Sequence, residues 1–184
     1  MQAEDFYDSI RIGLISMLPR LKRFADLLAG ERSAGAALLG RALQRMLAEE
    51  HRYQRGTALD RWAFAEIYRL WLDELRDHAD PMRQPKIDDA SFARLFRSEN
   101  GDAVDAFTIG FLRSLPPQQR LTLLLVCGER FDHIDAGRVL DVTAETVGAR
   151  LVRIVASLAD RLSACTPEPA SAAIEILDRE ETAA

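Results

Sequence analysis

Residues 131–154, FDHIDAGRVLDVTAETVGARLVRI, decide the fold. Asp132 is a good N-cap for a short helix with apolar side chains at Ile134 and Leu140, because its carboxylate can accept hydrogen bonds from the first turn. Thr143 then caps a second and longer helix. A helix of about eight residues, a short turn and a longer helix form a helix–turn–helix, which is the motif that this stretch predicts.

The second helix of this stretch carries its polar side chains on one side. The residues predicted to face outward are Glu145, Thr146, Ala149, Arg150 and Arg153. Arg150 and Arg153 share a helix face, as a pair that contacts phosphates or bases requires. A two-helix corner with two surface arginines also occurs in helical proteins that bind no DNA, so the spacing alone leaves both interpretations open.

The composition is that of a globular protein with a preference for helices. The chain has 184 residues, of which 48% are hydrophobic and 29% charged, and Ala, Leu, Arg and Glu dominate over strand formers. We therefore expect an all-α protein. No apolar run approaches the roughly 18–20 residues of a membrane span, and the acidic start MQAEDFYDSI lacks the pattern of a secretion signal. We expect a cytoplasmic protein without a membrane partner.

Side chains that could carry chemistry are not grouped along the sequence. Cys127 and Cys165 do not make a disulfide framework. His51, His78 and His133 are not spaced as metal ligands. Neither a Ser–His–Asp order nor a Gly-rich phosphate loop is present. The sequence predicts that the protein is not an enzyme and that it has no metal, cofactor or small-molecule substrate.

The net charge of −5 is unevenly distributed. Residues 1–76 hold 12 basic and 11 acidic residues, and residues 115–163 hold 6 of each. Residues 164–184 hold 1 basic and 5 acidic residues. The acidity therefore lies outside the two helical segments. A nearly neutral segment binds DNA poorly unless a partner shares the electrostatic attraction.

The composition changes in the middle of the chain. Residues 77–101 begin with DHADPMRQPKIDDAS, which is rich in acidic residues and proline and poor in large apolar residues, so we predict a linker. On either side of it we expect small helical domains, residues 1–76 and 102–163, each with a core of its own. Residues 164–184 are expected to be a mobile acidic tail.

The first domain shows three stretches with helical spacing of apolar residues. They predict helices at about 5–28, 34–50 and 58–77. Pro19 is expected to interrupt the first helix, and Ser33 is a candidate N-cap of the second.

Residues 115–162 resemble region 4 of the extracytoplasmic-function (ECF) sigma factors of RNA polymerase. The resemblance is continuous over nearly fifty residues, from a Leu-Pro pair through an apolar helix and a helix–turn–helix to spaced arginines. The matching positions are Leu115-Pro116, Arg120, the apolar run 121–126, Leu140-Asp141-Val142, Thr146-Val147, Arg150 and Arg153.

The first domain resembles sigma region 2 independently. Residues 17–47 are similar to its Leu-Pro-x-Leu-x-x-Phe-Ala helix and the following Gly-led turn. Residues 55–76 are similar to its promoter-melting and recognition helix, with Trp62, Asp73 and Arg76 at matching positions. The resemblance implies two tethered helical domains that read two promoter elements while bound to RNA polymerase.

The chain departs from the family pattern at three places. Where the family carries an acidic pair and a glutamine on the helix that docks on the polymerase, this chain has Ala36-Ala37 and Gly40. Gly148-Ala149 replaces a basic residue and a serine on the second helix of the helix–turn–helix. Arg69 occupies the position of an asparagine. These changes reduce polar contacts with the polymerase and DNA but retain the apolar framework.

Two functions are consistent with this resemblance. The first is a sigma-factor-like regulator of transcription initiation that binds the RNA polymerase core and promoter DNA. The alternative is a sigma mimic that binds an anti-sigma factor, as in partner-switching stress responses, and has little DNA binding of its own. The family attaches a receiver domain after such a mimic, and the tail AAIEILDREE is faintly similar to the start of one. A helical structural protein is a third alternative.

The resemblance and the helical spacing together imply two sets of site residues. The residues implied to contact DNA are Trp62, Arg69, Arg76, Arg138, Glu145, Thr146, Ala149, Arg150 and Arg153. The residues implied to contact the polymerase or an anti-sigma factor are Leu38, Leu39, Gly40 and Leu43.

Overall fold

The computed structural model describes residues 3–53, 56–77 and 106–165. Most of the predicted linker, and the predicted tail beyond Cys165, lie outside these residues. The described residues form helices without a strand, which confirms the all-α prediction. The domain boundaries remain a prediction.

The first domain contains three long helices and a short 3₁₀ turn. They are α1 Ala3–Ala29, α2 Arg32–Ala48, the 3₁₀ turn Glu50–Arg52 and α3 Leu59–Asp77. Pro19 lies inside α1, so the predicted interruption is wrong: α1 loses one backbone donor but continues. Glu31, rather than Ser33, is the N-cap of α2, and the Ser33 hydroxyl donates a hydrogen bond to the Glu31 carboxylate.

The second domain contains four helices, of which the second ends in a π-helical turn. They are α4 Ala106–Ser114, α5 Pro117–Leu123 with the π turn Leu124–Gly128, α6 His133–Leu140 and α7 Ala144–Cys165. Pro117 occupies the first turn of α5, where its missing N–H costs no helical hydrogen bond. A small cluster of Phe111, Leu115 and Ile154 joins α4 to α7.

One hydrophobic core runs through both predicted domains. Phe24 and Phe64 are fully buried with ring centroids 4.9 Å apart, and Phe131 of the second domain meets Phe64 edge-on at 5.3 Å. Leu125 and Val139 belong to the same cluster. The expectation of two separate cores is wrong, because α3 is buried both against α1 and α2 and against α6.

Ion pairs surround this shared core. The Glu129 side chain is only 2% exposed, and its carboxylate accepts from Arg20 Nε at 2.5 Å and lies 3.5 Å from Arg23 Nη2. Arg61 of α3 donates to Asp135 of α6 at 2.7 Å. The two domains are thus joined by apolar packing and by ion pairs between arginines of the first domain and carboxylates of the second.

Arg20 provides a test of this contact. Arg20→Gln should lower the free energy of unfolding by about 2–3 kcal/mol, because it removes the nearest cation from a buried carboxylate. The control is Arg52→Gln, since Arg52 and Glu49 form an exposed pair and such pairs contribute about 1 kcal/mol or less. Urea denaturation of both variants gives the comparison. Equal losses of stability in the two variants would show that the buried Glu129 carboxylate does not need Arg20 as its partner.

Two glycines of α2 give a second test. A Cβ on Gly35 would lie 2.5 Å from Cα and 2.7 Å from N of Asp26, so the backbones of α1 and α2 touch here, whereas Gly40 has open space beside it. Gly35→Ala should therefore lower the free energy of unfolding by about 1–3 kcal/mol. Gly40→Ala should raise it by about 1 kcal/mol, because alanine favours the helix. Chemical denaturation measures both, and changes of the same sign would contradict the proposed packing of α1 on α2.

Candidate nucleic-acid and partner interfaces

The helix–turn–helix predicted from the sequence is formed by α6 and α7. The Asp132 carboxylate accepts from the N–H of Asp135 at 2.7 Å, and the Thr143 hydroxyl accepts from the N–H of Thr146 at 3.2 Å. Both predicted N-caps are therefore confirmed. Asp141 ends α6 in the left-handed region at φ 53°, a conformation that aspartate tolerates better than most residues.

The turn between α6 and α7 is tightly packed. A Cβ on Gly137 would lie 2.6 Å from the carbonyl oxygen of Val142, whose N–H donates to the Gly137 carbonyl at 2.9 Å. Leu140 and Val147 are buried on the inner faces of the two helices. The start of α7 is therefore held firmly, and the sides of α7 that face solvent are well defined.

The predicted outward residues of α7 are not equally accessible. Glu145, Ala149 and Arg153 are exposed. Thr146 is half-buried, with its hydroxyl 3.1 Å from that of Thr143. Arg150 turns back toward α5, where Nη2 donates to Gln118 Oε1 at 3.2 Å. The structure thus leaves Arg153 open to a ligand, whereas the side chain of Arg150 is bonded to α5.

The exposed side of α7 carries a negative charge at its start and apolar side chains farther along. The Glu145 backbone N–H and the Thr143 hydroxyl donate to the Glu145 carboxylate and hold its pKa below the ordinary value. Val152, Val155 and Leu162 are 70%, 65% and 51% exposed. Sequence reasoning overlooked this apolar strip, although the spacing of three between Val152 and Val155 could have revealed it.

Three of the residues predicted to contact DNA line one groove between α2, α3 and α6. Arg69 and Arg76 of α3 and Arg138 of α6 line it with Arg45 of α2, and its volume is about 280 Å³. Trp62 does not line this groove. It is half-buried and meets the Tyr53 ring edge-on at 5.2 Å.

The residues predicted to contact a protein partner lie mostly inside the domain. Leu38 and Leu39 are 1% and 8% exposed and belong to the core, so they do not form a contact surface in this arrangement. Leu43 is half-buried against the same core, and Gly40 is exposed. These apolar side chains pack toward α1 and α3, and the contact with a protein partner implied by the resemblance stays a prediction.

A groove missed by sequence reasoning lies between the two domains, beside the shared core. It has a volume of about 470 Å³ and is lined by residues of α1, α3 and the start of α5, including Leu27, Trp71, Leu72, Leu75, Pro117 and Leu121. Arg120 also lines it, and burial, with repulsion from Arg113, lowers the pKa of this guanidinium. No local pattern could predict the groove, because its two walls are distant in sequence.

Two kinds of feature are absent from the described residues. They contain no cluster of three or more His, Cys, Asp or Glu side chains arranged to hold a metal ion. None of the helices in the described ranges has both the length and the apolar character needed to cross a membrane.

Comparisons with known proteins agree with this geometry. No protein-family model matches the sequence. The chain is 28% identical over 149 residues to the ECF RNA polymerase sigma factor EcfG of Rhodopseudomonas palustris (strain TIE-1), which covers 79% of this chain and 81% of that sequence.

Two solved structures have the same fold. The first is the sigma factor RpoE in complex with the anti-sigma factor NepR from Bartonella quintana, with a TM-score of 0.68, 20% identity and coverage of 86% of this chain and 99% of that chain. The second is the PhyRSL–NepR complex from Sphingomonas sp. Fr1, with a TM-score of 0.63, 20% identity and coverage of 86% and 92%. The predicted resemblance is confirmed: in sequence this chain is similar to an ECF sigma factor, and in structure it has the helical fold of sigma-factor and sigma-like chains.

Proposed function

We propose that this chain is a sigma-factor-like regulator of bacterial transcription initiation that binds the RNA polymerase core and promoter DNA. The observation that carries this proposal is the firmly held helix–turn–helix with exposed Arg153, in a fold shared with sigma factors. The sequence similarity to an ECF sigma factor supports it.

The exposed side of α7 indicates that the free protein binds DNA weakly. Arg153 is exposed, but Arg150 is engaged with α5 and Glu145 is negative. Each phosphate contact that is missing lowers the affinity and the dependence on salt. Promoter recognition therefore depends on the polymerase, which supplies further contacts and holds the protein on the promoter.

Arg153 is the residue on which promoter binding should depend most directly. Arg153→Ala should weaken polymerase-dependent promoter binding by about 1–3 kcal/mol if it contacts a base, and by less if it contacts only phosphate. Arg150→Ala should also weaken binding, but with a loss of stability, because its bonds to α5 are removed. Fluorescence anisotropy with core enzyme and promoter duplex at fixed salt measures the first effect, and urea denaturation the second.

Two further variants complete this test. Glu145→Gln should strengthen promoter binding, since it removes a negative charge beside the phosphates. Arg11→Gln, on the exposed side of α1, should leave it unchanged. Promoter binding that is unchanged in the Arg150→Ala/Arg153→Ala double variant would remove α7 from the proposed site.

The apolar groove between the domains favours a second candidate function, that of a sigma mimic which binds an anti-sigma factor. Trp71, Leu72 and Leu75 form one wall and Pro117 and Leu121 the other, so an amphipathic helix placed there would contact both domains. Such a helix would stabilise their packed arrangement. The two solved structures with this fold, of the sigma factor RpoE and of PhyRSL, are both of complexes with the anti-sigma factor NepR.

Leu75 tests whether the apolar groove binds an anti-sigma factor. It lines the groove and is 42% exposed, so Leu75→Glu should be compatible with folding but should weaken binding of a cognate anti-sigma factor at least tenfold, about 1.4 kcal/mol. The control is Ile12→Glu, because Ile12 is 68% exposed on α1 and is not among the groove residues. Equal anti-sigma affinities of the two variants would exclude the groove.

In vitro transcription decides between sigma factor and mimic. A sigma factor should give transcripts from a cognate promoter with this chain and core enzyme alone. Absence of transcripts, together with tight anti-sigma binding that Leu75→Glu weakens, would replace the first proposal by the second.

A further inference from the structure

The apolar strip of α7 has the spacing of a helix that packs on another helix. Val152, Val155 and Leu162 are 70%, 65% and 51% exposed, and Ala159, which lies in the same row, is exposed as well. The steps along this row are three, four and three residues, so the four side chains follow one side of the helix, as in the seam of a coiled coil. Single apolar residues on a surface need no explanation, whereas a continuous row marks an interaction surface.

The end of α7 is accessible to a second helix. Ile154 holds α7 in its domain by packing with Phe111 and Leu115. Farther along, residues 159–164 are all exposed, so the domain covers little of the last turns of α7. Helices in proteins derive most of their stability from packing on a neighbour, and a second helix laid along the strip would supply that packing here.

A row of small side chains runs beside the strip. Ala149, Ala156 and Ser163 are exposed and follow one another at intervals of seven residues, or about two turns. Small side chains allow two helices to approach to the short end of the usual interaxial distance of about 8–10 Å. Because this row carries no charge, a helix can cover it without desolvating an ion.

Two opposite charges border the small row on its outer side. Arg153 and Asp160 are both exposed, and their separation of seven residues places them on the same side of α7. A surface that carries a cation and an anion at this interval is complementary to itself when a second copy is turned end to end. The charges therefore favour a second copy of this chain as the occupant of the strip.

The antiparallel arrangement brings these charges together. With Val152 of one copy opposite Leu162 of the other, the two apolar rows coincide over their whole length. Arg153 then comes within one residue, about 1.5 Å along the axis, of the level of Asp160 of the second copy, and the two-fold axis makes this pair twice. In a parallel pair the side of one helix that carries Arg153 faces the opposite edge of the other helix, so these charges do not meet.

The other charged side chains of α7 do not disturb this pairing. Glu145 lies seven residues before Val152 and is therefore beyond the end of the other α7, which ends three residues after Leu162. Arg150 is bonded to α5. Arg161 lies on the far side of α7, with Nη1 3.9 Å from the position of a Cβ on Gly110 of α4.

We propose that two copies of this chain associate through α7, antiparallel about a two-fold axis that passes midway between Val155 and Ala159. The contact covers only about three helical turns of each copy, which is less than the roughly 800 Å² that each partner buries in a standard interface. The association is therefore weak and reversible, with a dissociation constant on the order of 0.1 mM. It goes beyond the proposed function, because a dimer of this kind pairs Arg153 with a carboxylate and covers the residue proposed to contact the promoter.

Sedimentation equilibrium of the full chain tests the association. With a reducing agent present, so that Cys127 forms no disulfide between copies, the average mass should rise from 20.6 kDa toward twice that value between about 10 µM and 1 mM. Val155→Glu should weaken the association at least tenfold, because it places a charge in the apolar row. The control Ile12→Glu changes a residue of similar exposure, 68%, on α1 and should leave it unchanged. A chain that stays monomeric, or equal association of the two variants, overturns the proposal.

Charge reversal tests the antiparallel arrangement. Arg153→Asp should weaken the association roughly 3–10-fold, because it places two carboxylates near each other at both ends of the contact. The double variant Arg153→Asp/Asp160→Arg should restore it, since each pair is formed again with its members exchanged. Association that the double variant does not restore would overturn the arrangement. These measurements contain neither polymerase nor DNA, so a failure of the proposed function leaves their outcome unaffected.

Discussion

The buried carboxylate of Glu129 is the contact on which the packed arrangement of the two domains depends. It follows the π turn, and Phe131 lies two residues farther on. Arg130 between them has a φ of 59°, and the N–H of Phe131 donates to the Leu125 carbonyl at 2.9 Å. This compact turn directs Glu129 onto Arg20 of α1 and Phe131 onto Phe64 of α3.

The two contacts contribute in different ways. Burial of large apolar side chains such as Phe131 and Leu125 supplies the main attraction, at about 1.5–3 kcal/mol for each. The ion pair adds little net free energy compared with an apolar replacement, because both charges must be desolvated. It does select the register, since any other placement of α6 on α3 would leave the Glu129 carboxylate buried without a cation. Apolar packing therefore gives strength to the arrangement, and Glu129 gives it specificity.

The parts of the structure that the sequence predicted are those fixed by neighbours along the chain. The N-caps at Asp132 and Thr143 depend on residues three positions away, and both were found. Arg150 shows the limit, because its direction is set by Gln118 and Thr122, 32 and 28 positions earlier. The shared core could not be predicted for the same reason, because its contacts join residues that lie on opposite sides of the predicted linker. The groove lined by Arg69, Arg76 and Arg138 could not be foreseen either, although each of these residues was identified from the sequence.

The packed arrangement sets a condition on any function that requires separated domains. Reading two promoter elements would move α6 away from α3 and expose Phe64, Phe131 and Val139, which lie at or below 3% exposure. At the values above for each side chain, this opening costs several kcal/mol. A ligand can supply that free energy only if it binds the open arrangement more tightly than the packed one by the same amount. Weakly bound DNA alone does not meet this condition, whereas a large protein surface that binds each domain separately can.

A helix in the apolar groove would act in the opposite direction, because it contacts both domains only while they are packed. The same shared core thus makes the protein dependent on partners in either function and places the choice between them at the contact of α3 with α6.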